Sequence, residues 1–300
     1  MARKTDGKNR EQLVNDLQQK VTEHIQNLKD SGAWLHMLDY MARFHTYSLN
    51  NVILIMSQKP NASILAGYRQ WTEHDRHVRK GEKGIKIFGY STRIIKDQDG
   101  NPIINEETGE PERRAWFPIV SVFDISQTDP DDPEHDEYAE TMRPFTPQDL
   151  EGEDTNGILP RATAWLESKG WTIGHEPMRG GMKGYTQAAT RRIMLNEANS
   201  PRMNAKTILH EAAHAILATE LGNTDHTTDY QDHRGLAETE AESTAYVVAN
   251  ILGLDTSEYS ISYVAGWSEG KPETLRESAE HVLNASRIIA DGIIDHDASR

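Results

Sequence analysis

The sequence predicts an α+β protein of two domains, on three observations. Apolar residues recur at helical spacing near the N-terminus and give way to strand-like alternation after residue 84, so the first domain reads as helices beside a small sheet. A stretch over 127–155, crowded with Asp, Glu and Pro and poor in aliphatics, separates a domain at 10–126 from one at 156–297 and reads as an acidic linker. In the second domain, a helix bearing His210-Glu211-Ala212-Ala213-His214 is followed by a helix rich in glutamate.

Composition sets the bounds. The chain has 300 residues, of which 36% are hydrophobic, enough for ordinary cores in about two domains. The absence of cysteine excludes disulfides, thiolate metal sites and a cysteine nucleophile, leaving any zinc to His and carboxylate ligands. No apolar run approaches the ~18 residues that a membrane helix needs, and the opening MARKTDGKNREQ lacks the apolar region of a signal peptide. The expected location is the cytoplasm, with no membrane partner. The net charge of −15 argues against a generic nucleic-acid binder, but it is unevenly spread. Residues 1–125 carry 18 Lys+Arg against 16 Asp+Glu, while the remainder carries 14 against 31. The two parts face different electrostatic tasks.

Taken in order, Leu13, Leu17, Val21, Ile25 and Leu28 mark an amphipathic helix from about Arg10 to Asp30. A second helix covers Trp34 to Arg43, and a third runs through Val52, Leu54 and Met56, with Ser48 or Asn50 as its cap and Pro60 beyond its end. A short helix is expected around Arg69-Gln70-Trp71. The glycines in Val78-Arg79-Lys80-Gly81-Glu82-Lys83-Gly84 punctuate a basic turn, and Ile85 and Ile87 begin a strand. Asp97 to Asn101 is a turn, and Trp116 to Ile125 reads as one buried strand. After the acidic stretch, ILPRATAWLESKG is a helix, Gly180 to Tyr185 a turn, and Arg192 to Leu195 a strand expected at the sheet edge beside the helix that follows Ser200-Pro201.

Between Arg69 and Lys96 lie eight basic and three acidic residues, interleaved with Trp71, Phe88 and Tyr90. Cations that track phosphates, set beside rings that stack on unpaired bases, suit single-stranded nucleic acid. Trp71 and Lys86 are candidates on this ground. On residue types alone, a solvated turn with ordinary core aromatics fits at least as well.

The C-terminal motif is sharper. Residues at i and i+4 stack on one helix face, so His210 and His214 can grip one divalent ion, with Glu211 beside them as the proton acceptor. Two His leave a catalytic zinc one protein ligand short. Glu238 and Glu242 share a face of the next helix, which suggests Glu238 as the third ligand and Glu242 as the carboxylate that orients a ligand imidazole. The reverse assignment is the alternative, and Glu240 points elsewhere. Loop residues Asp225, His226, Asp229, Tyr230 and His233 offer further polar groups, and Tyr259 to Trp267 and a helix from Pro272 to Ile289 are expected to cover the site's far side.

With LHEAAHAIL followed by AETEAESTAYVV, the C-terminal half resembles zinc peptidases of the gluzincin kind, in particular the compact ImmA/IrrE-like metallopeptidases. The N-terminal half, with SLNNVILI, the Trp71 region, VRKGEKGIKIFGY and VFDISQ, resembles the single-stranded-DNA-binding domain of ArdC-like antirestriction proteins. The resemblance implies a Zn²⁺ cofactor, single-stranded DNA and an unidentified protein or peptide substrate as partners, and an antirestriction or DNA-protection role on mobile elements. It places Arg79, Lys80 and Lys83 on the nucleic-acid surface. Two other roles stay open, a regulatory peptidase that cleaves a DNA-bound repressor and a non-catalytic DNA-binding protein with a structural zinc.

Overall fold

The computed structural model describes residues 2–28, 31–97, 99–106, 108–132, 136, 138, 153–154, 156–222, 234–254 and 272–298. The chain divides into two compact units, one formed by Met1–Val21 with Ile53–Arg143 and the other by Thr22–Val52 with Pro144–Arg300. The first helix, α1 (Ala2–Gln26), begins well before Arg10, since its Ala, Arg, Lys, Glu and Gln residues all favour helix. Leu17, Val21, Ile25 and Leu28 are its buried stripe.

The first unit holds β1 (Leu65–Gly67), the single-turn helix α4 (Tyr68–Glu73), β2 (Arg76–Val78), β3 (Ile85–Phe88), β4 (Ser91–Ile94), β5 (Arg113–Trp116), β6 (Ile119–Asp124) and β7 (Thr128–Pro130). β6 is the middle of a three-stranded antiparallel sheet, order β1-β6-β3, in which Ile85 pairs with Val122 and Phe88 with Ile119. Ile85 and Ile87 face the core and Lys86 the other side, the alternation that the sequence displays. The buried run Trp116 to Ile125 is not one strand. Phe117-Pro118 interrupts it, because proline has no N–H to give a ladder, and the Pro118 carbonyl instead accepts from Gly89 N at 2.7 Å. β4 and β5 therefore leave the sheet as a separate two-stranded ribbon.

The start of the acidic stretch is packed structure. β7 pairs with β2, and Asp136 meets the buried Arg76 guanidinium at 2.6 Å. A buried cation requires a counter-charge, which explains why this acidic segment adheres to the first unit.

The second unit is built from α2 (Ser31–Arg43), the first turn of α3 (Leu49–Gln58), α5 (Ile158–Ser168), β8 (Thr172–Glu176), β9 (Gly184–Gln187), β10 (Arg192–Asn196), α6 (Pro201–Thr219), α7 (Arg234–Ile251) and α8 (Pro272–Ala298). Ser48 accepts from Asn51 N to cap α3, and Ser200 accepts from Met203 N to cap α6, with Pro201 at its first position. α6 is the core helix: Ile208, Leu209, Ala212, Ala213, Ile216 and Leu217 are all fully buried. A Cβ at Gly292 on α8 would overlap the Trp165 indole of α5, so this glycine sets their close approach. α2 docks on α7, where Trp34 Nε1 donates to Ser243 Oγ at 3.0 Å and Tyr246 OH to Asp39 Oδ1 at 2.6 Å.

The three strands are ordered β8-β10-β9, with β10 parallel to β8 and antiparallel to β9. The strand expected at the edge, β10, is thus central. Its Ile193, Met194 and Leu195 are buried in succession, the mark of a strand covered on both faces, and β9 takes the edge. Among the described residues no helix is long and apolar enough to cross a membrane. Asp225, His226, Asp229, Tyr230, His233 and the stretch from Tyr259 to Trp267 lie outside the described residues.

Candidate functional site

α6 and α7 bring three groups to one point. His210 Nε2 and His214 Nε2 are 3.2 Å apart, and the Glu238 carboxylate straddles them at 3.5 Å from His210 and 3.7 Å from His214. These three residues form the metal-competent cluster among the described residues, their donor atoms all within 4.8 Å of one another. Bonds of about 2.0–2.2 Å in a tetrahedral site require donors about 3.3–3.6 Å apart, so the spacing fits a single divalent ion. Two imidazoles and a carboxylate suit zinc among other divalent metals.

The other ring nitrogen of His210, Nδ1, lies 3.1 Å from Glu242 Oε2, and Lys206 Nζ lies 3.6 Å from that carboxylate's Oε1. Glu240, on another face of α7, is buried and meets His281 Nδ1 of α8 at 3.2 Å. Burial pulls the His210 pKa down, but hydrogen bonds to Glu238 and Glu242 outweigh it and push it up to about 10. The two imidazoles hold Glu238 well below the usual carboxylate range, His210 first and then His214. For Glu242, burial works the other way and is overcome by His210. Negative charge concentrated on buried imidazoles is the field that a divalent cation would neutralise.

Glu211 is buried, and burial raises its pKa against the opposing pull of His210 and of the Thr186 hydrogen bond. Thr186, on edge strand β9, places its Oγ1 2.8 Å from Glu211 Oε2 and 2.9 Å from the Glu211 carbonyl oxygen. Gly184, at the start of the same strand, leaves room for both helix and carboxylate: a Cβ there would stand 2.6 Å from Thr207 Cγ2 and 3.2 Å from Glu211 Oε1. Neither residue carries a local signal in the sequence, since their roles arise only when β9 lies along α6.

In the first unit, the candidates from the basic stretch separate. Trp71 is a correction: it is 1% exposed and its Nε1 donates to the Phe123 carbonyl, so its ring closes the core and has no face for a base. Arg79 is committed inward, donating to Glu82 Oε1 and Asp129 Oδ1 at 3.1 Å each and to the carbonyls of Thr128 and Ser126. Lys86 is half-buried with Nζ on Ser121 Oγ at 2.5 Å. Lys80 and Lys83 are exposed and make no ion pair among the described residues. Beside them a groove of about 770 Å³ is lined by Tyr68, His77, Arg79, Lys80, Gly81 and Phe123, among others. Tyr68, 58% exposed, meets Phe123 edge-on at 6.3 Å between centroids. Tyr68 is the aromatic that residue types undervalued, because its helix, α4, presents it to solvent and turns Trp71 inward.

Comparison with known proteins agrees with this division. Residues 8–123 match the N-terminal domain of anti-restriction factor ArdC, and residues 167–250 match the IrrE N-terminal-like domain of the M78 peptidases. An uncharacterized protein of Bacillus anthracis is 26% identical over 263 residues, covering 78% of this chain and 43% of the relative. One from Sinorhizobium fredii is 27% identical over 157 residues, covering 51% and 45%. The chain thus spans less than half the length of these curated relatives. The crystal structure of the metal-free antirestriction ArdC protein from plasmid R388 shares the fold, with a TM-score of 0.52 and 21% identity over 83% of this chain and 86% of that one. With one domain of each kind in this order, the chain has the ArdC-like architecture: an ArdC N-terminal domain followed by an IrrE-like M78 domain.

Proposed function

We propose that this protein joins a zinc-dependent peptidase to a domain that holds single-stranded DNA, and that it serves an antirestriction or DNA-protection role. The observation that carries the peptidase reading is the trio of separations, 3.2, 3.5 and 3.7 Å, among His210, His214 and Glu238. These residues would hold the ion, which when bound supplies the Lewis acidity that activates water and polarises a carbonyl. Glu242 fixes the His210 ring through Nδ1 and so presents Nε2 to the site. Glu211 accepts a proton from the attacking water and returns it to the leaving amine nitrogen. The free edge of β9 offers backbone hydrogen bonds to an extended peptide. On the first unit, Lys80 and Lys83 meet phosphates and Tyr68 stacks on a base, while Arg79 braces the turn that presents them.

Metal analysis of the purified protein and its variants tests the site. Near-stoichiometric zinc is expected in the wild type, loss of it in Glu238→Ala, and affinity weakened about 10–100-fold in Glu242→Ala. A peptide-library assay with wild type and Glu211→Gln tests the chemistry. Cleavage absent from both would overturn the peptidase assignment, and unchanged zinc in Glu238→Ala would overturn the ligand set.

A further inference from the structure

The β4–β5 ribbon pairs with no other strand among the described residues, and both its faces are largely exposed. Its register sets Arg93 directly across from Arg114, with Ser91 and Trp116 on the same face, while Arg113 lies across from Ile94 on the other. Like charges opposed in an antiparallel pair are destabilising, and none of Arg93, Arg113, Arg114 or Lys96 makes an ion pair among the described residues. This concentration of free cations stands in a chain of net charge −15. At the ribbon's base, Tyr90 immediately precedes β4 and Phe117 immediately follows β5. The two rings meet at 5.9 Å between centroids and are 71% and 61% exposed, the most exposed aromatics among the described residues. Two rings in water beside two opposed arginines have no internal role that explains them.

From this juxtaposition we propose that the β4–β5 ribbon is a second nucleic-acid contact, separate from the Lys80 groove, which takes a single strand with phosphates between Arg93 and Arg114 and bases against Tyr90 and Phe117. Guanidinium forks match phosphate oxygens in pairs, and a phosphate between them turns the cross-strand repulsion into attraction. Exposed rings need the free face of an unpaired base, which a duplex withholds, so the occupant is single-stranded. The far end of the ribbon carries Asp97, Asp99, Glu110 and Glu112, which confines the strand to the basic base and sets the direction in which it leaves. The inference rests on the reading of the first unit as a DNA-binding domain.

The test is fluorescence anisotropy of the full chain with oligothymidylate, its abasic analogue and a duplex of equal length, at several salt concentrations. Arg93→Glu with Arg114→Glu should weaken oligothymidylate binding at least fivefold, roughly the loss of one stacked base or more, and lower the slope of log affinity against log salt by about 1.4. Tyr90→Ala with Phe117→Ala should weaken it at least about fivefold with the slope unchanged, and should leave abasic binding unaltered. Arg93→Gln, which relieves the opposed charges, should bind more weakly yet melt no lower than wild type, so a folding defect is told apart from a lost contact. Unchanged oligothymidylate affinity in both double variants, with Lys80→Glu and Lys83→Glu still weakening it, overturns this inference alone. No binding of single strands by the wild type overturns it together with the DNA reading.

Discussion

Thr186 Oγ1 lies 2.8 Å from Glu211 Oε2 and 2.9 Å from the Glu211 carbonyl oxygen, so one hydroxyl with a single proton serves two acceptors on one residue. The threonine ties the edge strand to the side chain proposed as the proton acceptor and restricts the angle at which that carboxylate meets the His210–His214–Glu238 cluster.

Thr186→Val keeps the shape and removes the hydroxyl, leaving a buried carboxylate short of a donor. Peptide cleavage is expected to fall about 10–100-fold, in line with one lost charge-assisted hydrogen bond, while bound zinc stays at the wild-type level. Thr186→Ser should recover most of the activity. Equal loss in both variants would assign the residue to packing and not to positioning.

Gly184→Ala inserts a methyl against Thr207 Cγ2, the Met194 carbonyl and Glu211 Oε1, at 2.6, 3.0 and 3.2 Å. Two of these are held by α6 and one by the β10 backbone, so none gives way freely. A loss of about 1–3 kcal/mol in stability is expected from denaturant unfolding, and a variant as stable as wild type would show that β9 can move off α6.

Metal should stabilise the second unit. Zinc at about 100 times its dissociation constant adds about 2.7 kcal/mol, which raises the Tm of a domain of this size by about 5–10 °C. Differential scanning fluorimetry of chelated protein with and without zinc reads the shift. His214→Ala should abolish it while leaving the chelated protein's Tm close to wild type.

The His281–Glu240 pair gives the second unit a pH dependence. Its pKa is raised, chiefly by the hydrogen bond to Glu240, so the stabilisation is complete below the usual imidazole pKa and fades as pH rises through the elevated value. Because the imidazole is partly solvated, His281→Gln should cost only about 0.5–1 kcal/mol at pH near 6. The cost should shrink in alkaline buffer; urea titrations at several pH values would reveal a flat difference if the pair were inert.

Trp71 and Lys80 should part company under mutation. Trp71→Ala opens a core cavity and is expected to cost about 3–5 kcal/mol. Lys80→Glu should leave thermal stability unchanged and weaken oligonucleotide binding. A destabilising Lys80→Glu, or a neutral Trp71→Ala, would reverse the assignment.

What could be read from the sequence was what depends on neighbours in the chain. The i, i+4 spacing of His210 and His214, the cap at Ser200 and the shared face of Glu238 and Glu242 are properties of single helices, and the structure places those residues together as the spacing suggests. Trp71 and Arg79 sit in an equally suggestive local context, but burial and partners are decided by β6 and β7, which lie some fifty residues away. The edge position of β9 is a fact of pairing, and a strand's own residues specify its faces better than its neighbours. Thr186 and Gly184 were invisible for the same reason.

The docking of α2 on α7 makes the second unit discontinuous in the chain: Trp34 reaches Ser243 and Asp39 reaches Tyr246 across more than two hundred positions. No single cut releases this unit intact. A fragment starting after the acidic stretch would expose the flank of α7 that carries Ser243, Tyr246 and Val247, the same helix that carries Glu238. During synthesis α2 leaves the ribosome long before the helix it needs, so the second unit completes its core only after the whole first unit has been made. The order of the genes' two halves is therefore also an order of assembly, in which the hydrolytic half is finished last.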